Sequence, residues 1–148
     1  MLSLTRLSDW DRRLPRVIAQ HRDALPAWGV SDCWMLMLDG VEAVTGERIF
    51  PKLRRYRTEA GGYRLFAKLG FSTVEDAMAS VFEPVGMLSA QRGDVGVIER
   101  DGLISCGVFD AEGLAVKTLY GNGKTILRGD LRHFPVTQVK TAFKVARD

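Results

Sequence analysis

The sequence predicts an α+β domain, with N-terminal helices packed on a small antiparallel C-terminal sheet. Two observations carry this expectation. Apolar residues recur at helical spacing as far as Pro84, and beyond it they alternate with period two between frequent turn residues. A third sets the scale: 148 residues, 46% of them hydrophobic, suffice to bury one core, so a single domain over 1–148 is expected. Twenty-one Lys and Arg against 18 Asp and Glu leave a net charge of +3. That is a mild excess and argues against a dedicated nucleic-acid binder. No run of about 18 apolar residues and no apolar core ahead of a cleavage site occurs, so neither a membrane span nor a signal peptide is expected.

The first helix is expected over residues 8–25, with Leu14, Val17, Ile18 and Leu25 on one face, Pro15 in an early turn and His21 among charged neighbours on a solvated surface. Pro26-Ala27-Trp28-Gly29 then breaks the chain. Ser31 or Asp32 can cap the helix that follows, whose apolar face of Met35, Leu36, Leu38, Val41 and Val44 runs to Gly46. Cys33 falls in its first turn, where free N–H groups and the helix dipole stabilise a thiolate. Two readings stay open for it: a poised nucleophile, or a small buried hydrophobe beside Trp34 and Met35.

Between Glu47 and Arg57 the periodicity fails. Lys52, Arg54, Arg55 and Arg57 around Tyr56 form a basic cluster, either a solvated loop or a grip for phosphate. A helix at Glu59–Leu69 ends at Gly70, and another opens with a capping-box spacing, Ser72 to Glu75. In the second half, Val95, Val97 and Ile98 make a strand after Arg92-Gly93-Asp94. Arg100-Asp101-Gly102 turns into Leu103–Phe109, and Asp110–Gly113 turns into Leu114–Tyr120. A turn at Gly121-Asn122-Gly123, a short strand near Thr125–Leu127 and a last strand at Thr141–Ala146 complete the meander. Two cysteines and two histidines form no spaced metal signature, and neither a metal nor a cofactor is expected.

Several short motifs lie in a fixed order along most of the chain: Trp28-Gly29, Asp32-Cys33, Thr45-Gly46, Tyr56 with Thr58 and Ala60-Gly61, Leu69-Gly70, Arg92-Gly93-Asp94-Val95 and Ala142-Phe143-Lys144-Val145. In this order the chain resembles NlpC-like papain-fold cysteine peptidases, and more narrowly a small NlpC-like family of phage and prophage tail modules. In active members a helix Cys attacks an amide carbonyl and a His on the facing strand takes the proton. The resemblance maps the nucleophile onto Cys33. It maps the base onto Ser105, ahead of Cys106-Gly107-Val108-Phe109, and a serine hydroxyl does not titrate in a useful range. His133, expected in an edge loop before Phe134-Pro135, and His21 are the remaining imidazoles that could replace it. Cys106, one residue along from Ser105, should face the other side of the strand and so should not bond Cys33 unless a bulge near Gly107 reverses the alternation.

The resemblance therefore implies a structural or assembly component of a phage tail, near the tail tip or baseplate hub, on a degenerate peptidase fold. Its partners would be other tail proteins and its location the virion, after assembly in the host cytoplasm. The alternative is an active thiol peptidase or amidase acting on peptidoglycan during DNA entry. A nucleic-acid module based on Lys52–Arg57 ranks third, because no array of aromatic stacking residues accompanies the charges.

Overall fold

The computed structural model describes residues 1–121 and 126–147. Its helices precede its sheet: α1 (Trp10–Asp23), α2 (Cys33–Thr45), α3 (Glu59–Lys68) and α4 (Val74–Ala79). The strands are β1 (Glu83–Val85), β2 (Val95–Arg100), β3 (Leu103–Asp110), β4 (Gly113–Gly121), β5 (Ile126–Phe134) and β6 (Thr141–Lys144). All strand pairs are antiparallel, in the order β1-β6-β2-β3-β4-β5. The α+β expectation therefore holds, and the meander is β2 to β5, with β6 returning between β1 and β2.

Helix α2 is the buried axis of the domain. Leu36, Met37, Leu38, Val41 and Val44 are fully inaccessible, and each such side chain contributes about 1.5–3 kcal/mol of burial. A Cβ on Gly40 would meet Val108 at 3.1–3.2 Å, which shows how tightly α2 lies on β3. The helix face of the sheet supplies Val95, Val97, Cys106, Val108 and Phe143 to this core. The opposite face has a second, smaller core of Ile98, Phe109, Leu114, Val116 and Phe134, partly covered by Val85, Ala90 and Val136.

Several expectations shift at the level of single residues. Helix α1 stops at Asp23, and Leu25, expected on its apolar face, is 86% exposed. The capping box lies one residue later than read. Thr73 accepts from the Asp76 amide and the Asp76 carboxylate accepts from the Thr73 amide, while Glu75 accepts from Lys140 and Thr141 instead. Strand β1 was not anticipated, because Pro84 reads as a breaker; at the edge of the sheet a missing N–H is tolerated. The hairpin at Asp101-Gly102 is observed, both residues having positive φ (51° and 79°) as a tight primed turn requires. The turn expected at Gly121-Asn122-Gly123 falls on residues 122–125, outside those described; the short strand expected after it is the nine-residue β5.

The Gly93-Asp94-Val95 entry to β2 has a clear structural cause. Asp94 is fully buried, and its carboxylate accepts from the amides of Gln91 (2.8 Å) and Val145 (3.2 Å). That pins the start of β2 to the end of β6.

Candidate functional site

Asp32, not Ser31, is the N-cap of α2. Its Oδ1 accepts from the Met35 amide at 2.8 Å; its Oδ2 accepts from the Gly29 amide at 2.8 Å and from the Tyr56 hydroxyl at 2.6 Å. Burial pushes the Asp32 carboxyl pKa up in spite of these three donors. Burial first, and then the Asp32 charge, push the Tyr56 phenol upward as well, so it stays protonated. Tyr56, which the sequence offered as an aromatic among basic residues and as one of the ordered motif positions, is thus the tie between the loop before α3 and the head of α2.

Cys33 is the first residue of α2, a half-buried free thiol. It opens on a cavity of about 540 Å³ walled by Trp28, Tyr56 and Tyr63 on the helical side and by Ile98, Ser105 and Tyr120 on the sheet side. This cavity exists because the sheet splits. Strands β3 and β4 pair only from Val108–Asp110 against Gly113–Ala115. Beyond that point residues 103–105 of β3 and 117–120 of β4 become separate walls of the cavity. Gly107 sits at the split, where a Cβ would fall 2.0 Å from the Ala115 carbonyl oxygen.

Ser105 therefore lines the same cavity as Cys33, on β3 opposite Ile98 of β2. Cys106 points to the other side of the strand, into the helix-side core. It is fully buried, and its thiol lies 3.5 Å from the Cys33 carbonyl oxygen. Both cysteines are free, and burial raises the Cys106 pKa well above the ordinary thiol value, which disfavours its thiolate.

Neither histidine is among the described residues that line the cavity. His133 is in a strand, not the expected edge loop. It stands opposite Ala115 in the β4–β5 ladder, with Nε2 2.7 Å from Asp110 and Nδ1 3.3 Å from Glu112. His21 is not on a solvated surface but 5% exposed. Its Nδ1 is 2.8 Å from the Ser31 hydroxyl and its Nε2 2.7 Å from Asp39, which also accepts from Arg54 at 2.8 Å. The spacing Leu14, Ile18, His21 puts the ring on the apolar stripe of α1, the signal that its charged sequence neighbours obscured.

Ser31, His21 and Asp39 hydrogen-bond in the order of a hydrolytic triad, but with the two ring nitrogens exchanged. Ser31 is only 1% exposed, so no acyl group reaches it and the chain braces α1 against α2. Lys117 of β4 adds a second brace: its ammonium donates to the carbonyls of His21 and Ala24, at the C-terminal end of α1. Burial lowers its pKa.

The chemistry open to the cavity follows from these side chains. A thiol faces it from a helix N-terminus, but the nearby Asp32 oxygens are occupied by donors, Tyr56 is a donor to Asp32, and Ser105 does not titrate usefully. Among the described residues no cluster of three or more His, Cys, Asp or Glu is placed to hold a metal ion. No described helix is long and apolar enough to cross a membrane.

A family model, a domain of unknown function designated DUF6950, matches residues 5–145. No curated protein and no solved structure matches the chain.

Proposed function

The chain belongs to the DUF6950 family, and from the order of its sequence motifs, together with a cavity whose described lining holds a thiol but no imidazole, we propose that it is a structural or assembly component of a phage tail, near the tail tip or baseplate hub. In this proposal a degenerate NlpC-like peptidase scaffold serves as a docking module for other tail proteins, and the protein is carried in the virion. One observation supports it most. Cys33 heads a helix and opens on a cavity shared with Ser105, and none of the described residues lining that cavity is an imidazole. A papain-like thiol hydrolase needs a group that takes the thiol proton and returns it to the departing amine. The tail assignment itself rests on the order of sequence motifs from Trp28-Gly29 to Phe143-Lys144-Val145.

Mass spectrometry of tails purified from a lysate tests the proposal. The protein is expected at fixed stoichiometry in the particles, and particles that lack it would exclude the reading.

The second reading, a peptidoglycan amidase, draws on a different fact: the Cys33 thiol is partly exposed in a cavity large enough for a peptide side chain. Cys33→Ala separates the two. As an assembly module, both the parent and the variant leave muropeptides intact and both enter tails normally. Cleavage by the parent, abolished by Cys33→Ala, would establish the enzyme.

A further inference from the structure

The basic segment Lys52–Arg57 does not remain one cluster once the chain folds. Arg54 turns inward and binds Asp39 at 2.8 Å. Arg55 and Arg57 instead join Arg64 and Lys68 of α3 around a separate cleft of about 410 Å³, to which Lys52 does not contribute. Gly61, Arg64, Leu65 and Lys68 recur at helical spacing and make one wall of it; the 55–58 segment makes the other. No carboxylate lines this cleft, and none of its four cations forms an ion pair among the described residues. Glu59, the acid of the first turn of α3, lines the Cys33 cavity instead.

We infer that this cleft binds a compact phosphate group, either free or borne on a small molecule. Four like charges lining one concavity repel one another, and an anion between them removes that cost. The donors are partly fixed in advance. Arg57 Nη1 donates to the carbonyls of Tyr56 (2.6 Å) and Arg54 (3.3 Å), which holds its guanidinium in place. The Thr58 hydroxyl accepts from the Gly61 amide at 3.0 Å, which leaves its own proton to donate. Arg55 and Arg57 on one wall and Arg64 on the other offer donors from two sides, which suits a tetrahedral oxyanion, with acceptors on every side, better than a planar carboxylate. A compact ligand is favoured over a nucleic-acid strand because the charge is confined to one small cleft of a chain whose net charge is only +3.

The test uses the full chain at low ionic strength, with inorganic pyrophosphate and ADP as probes, followed by amide chemical shifts and calorimetry. Both probes should shift amides of residues 55–68. Arg64→Gln with Lys68→Gln should weaken pyrophosphate binding by roughly tenfold or more, since the loss of even one charge-assisted contact is worth about that factor. Lys52→Gln, outside the cleft, should bind like the parent. Tighter binding of ADP than of pyrophosphate would assign the site to a nucleotide, and equal binding to a free phosphate group. Absence of shifts in this segment, or parental affinity in a folded Arg64→Gln/Lys68→Gln variant, would overturn the inference. So would a short oligonucleotide that binds more tightly than pyrophosphate, with a salt slope of many phosphates.

Discussion

At the scale of single residues, the head of α2 gathers the polar side chains that surround the Cys33 thiol. Asp32 is held by three donors, Tyr56 is one of them, and the cavity beside Cys33 presents Ser105 where the resemblance would place an imidazole. Restoring that ring is a direct test of the geometry. Ser105→His should raise the rate of Cys33 alkylation at neutral pH by roughly tenfold, because an adjacent imidazolium holds a thiol as thiolate. Alkylation reports Cys33 alone, since Cys106 is fully buried. An unchanged rate would show that position 105 does not reach the thiol, and the assignment of the lost base would fail with it.

Between elements, the decisive feature is the place where β3 and β4 separate. Pairing as far as Val108 and Ala115 buries the two cores, and loss of pairing beyond it makes room for the cavity. Gly107 permits the crossing because the Ala115 carbonyl occupies the space of its missing Cβ, at 2.0 Å. Gly107→Ala therefore forces backbone apart in a packed sheet and should cost about 3 kcal/mol or more, in the range of overpacked core sites. Urea unfolding measures it. A loss under about 1 kcal/mol would mean that the strands part easily and that the split is not held by close packing.

Across the whole molecule, stability at acid pH depends on the link from α1 through α2 to Arg54. Burial pushes the Asp39 pKa up, but the bonds from His21 and Arg54 outweigh it and leave the carboxyl below its usual 3.8. A carboxyl lowered by folding stabilises the native state above its unfolded pKa, and that contribution disappears as the pH falls through the folded value. Asp39→Asn should therefore cost about 2 kcal/mol at neutral pH, an intermediate figure because the carboxylate is partly exposed. The gap between parent and variant should narrow steadily as the pH drops below about 4. Urea midpoints across that pH range check the sign. A gap that stays constant would show that the Asp39 charge contributes nothing.

The fold class and every main element but β1 were legible in the residues alone, because hydrophobic periodicity and turn chemistry are local. The apolar run after Asp32, the stop at Gly46, the Asp101-Gly102 turn and the switch of period beyond Pro84 each declare themselves within a few neighbours. The N-terminal position of Cys33 on its helix and the opposite facings of Ser105 and Cys106 followed by the same local logic. Partners were not legible, since a side chain's environment is set by what packs against it from far along the chain. His21 reads as surface by its neighbours in sequence, yet Ser31 and Asp39 satisfy both its nitrogens and make its burial affordable. Arg54 looks like its basic neighbours until Asp39 draws it inward, leaving Arg55 and Arg57 to meet Arg64 and Lys68. Only the folded chain sorts like residues into brace, cleft and cavity wall, because a buried polar group needs its complement within about 3 Å and the sequence does not record that distance.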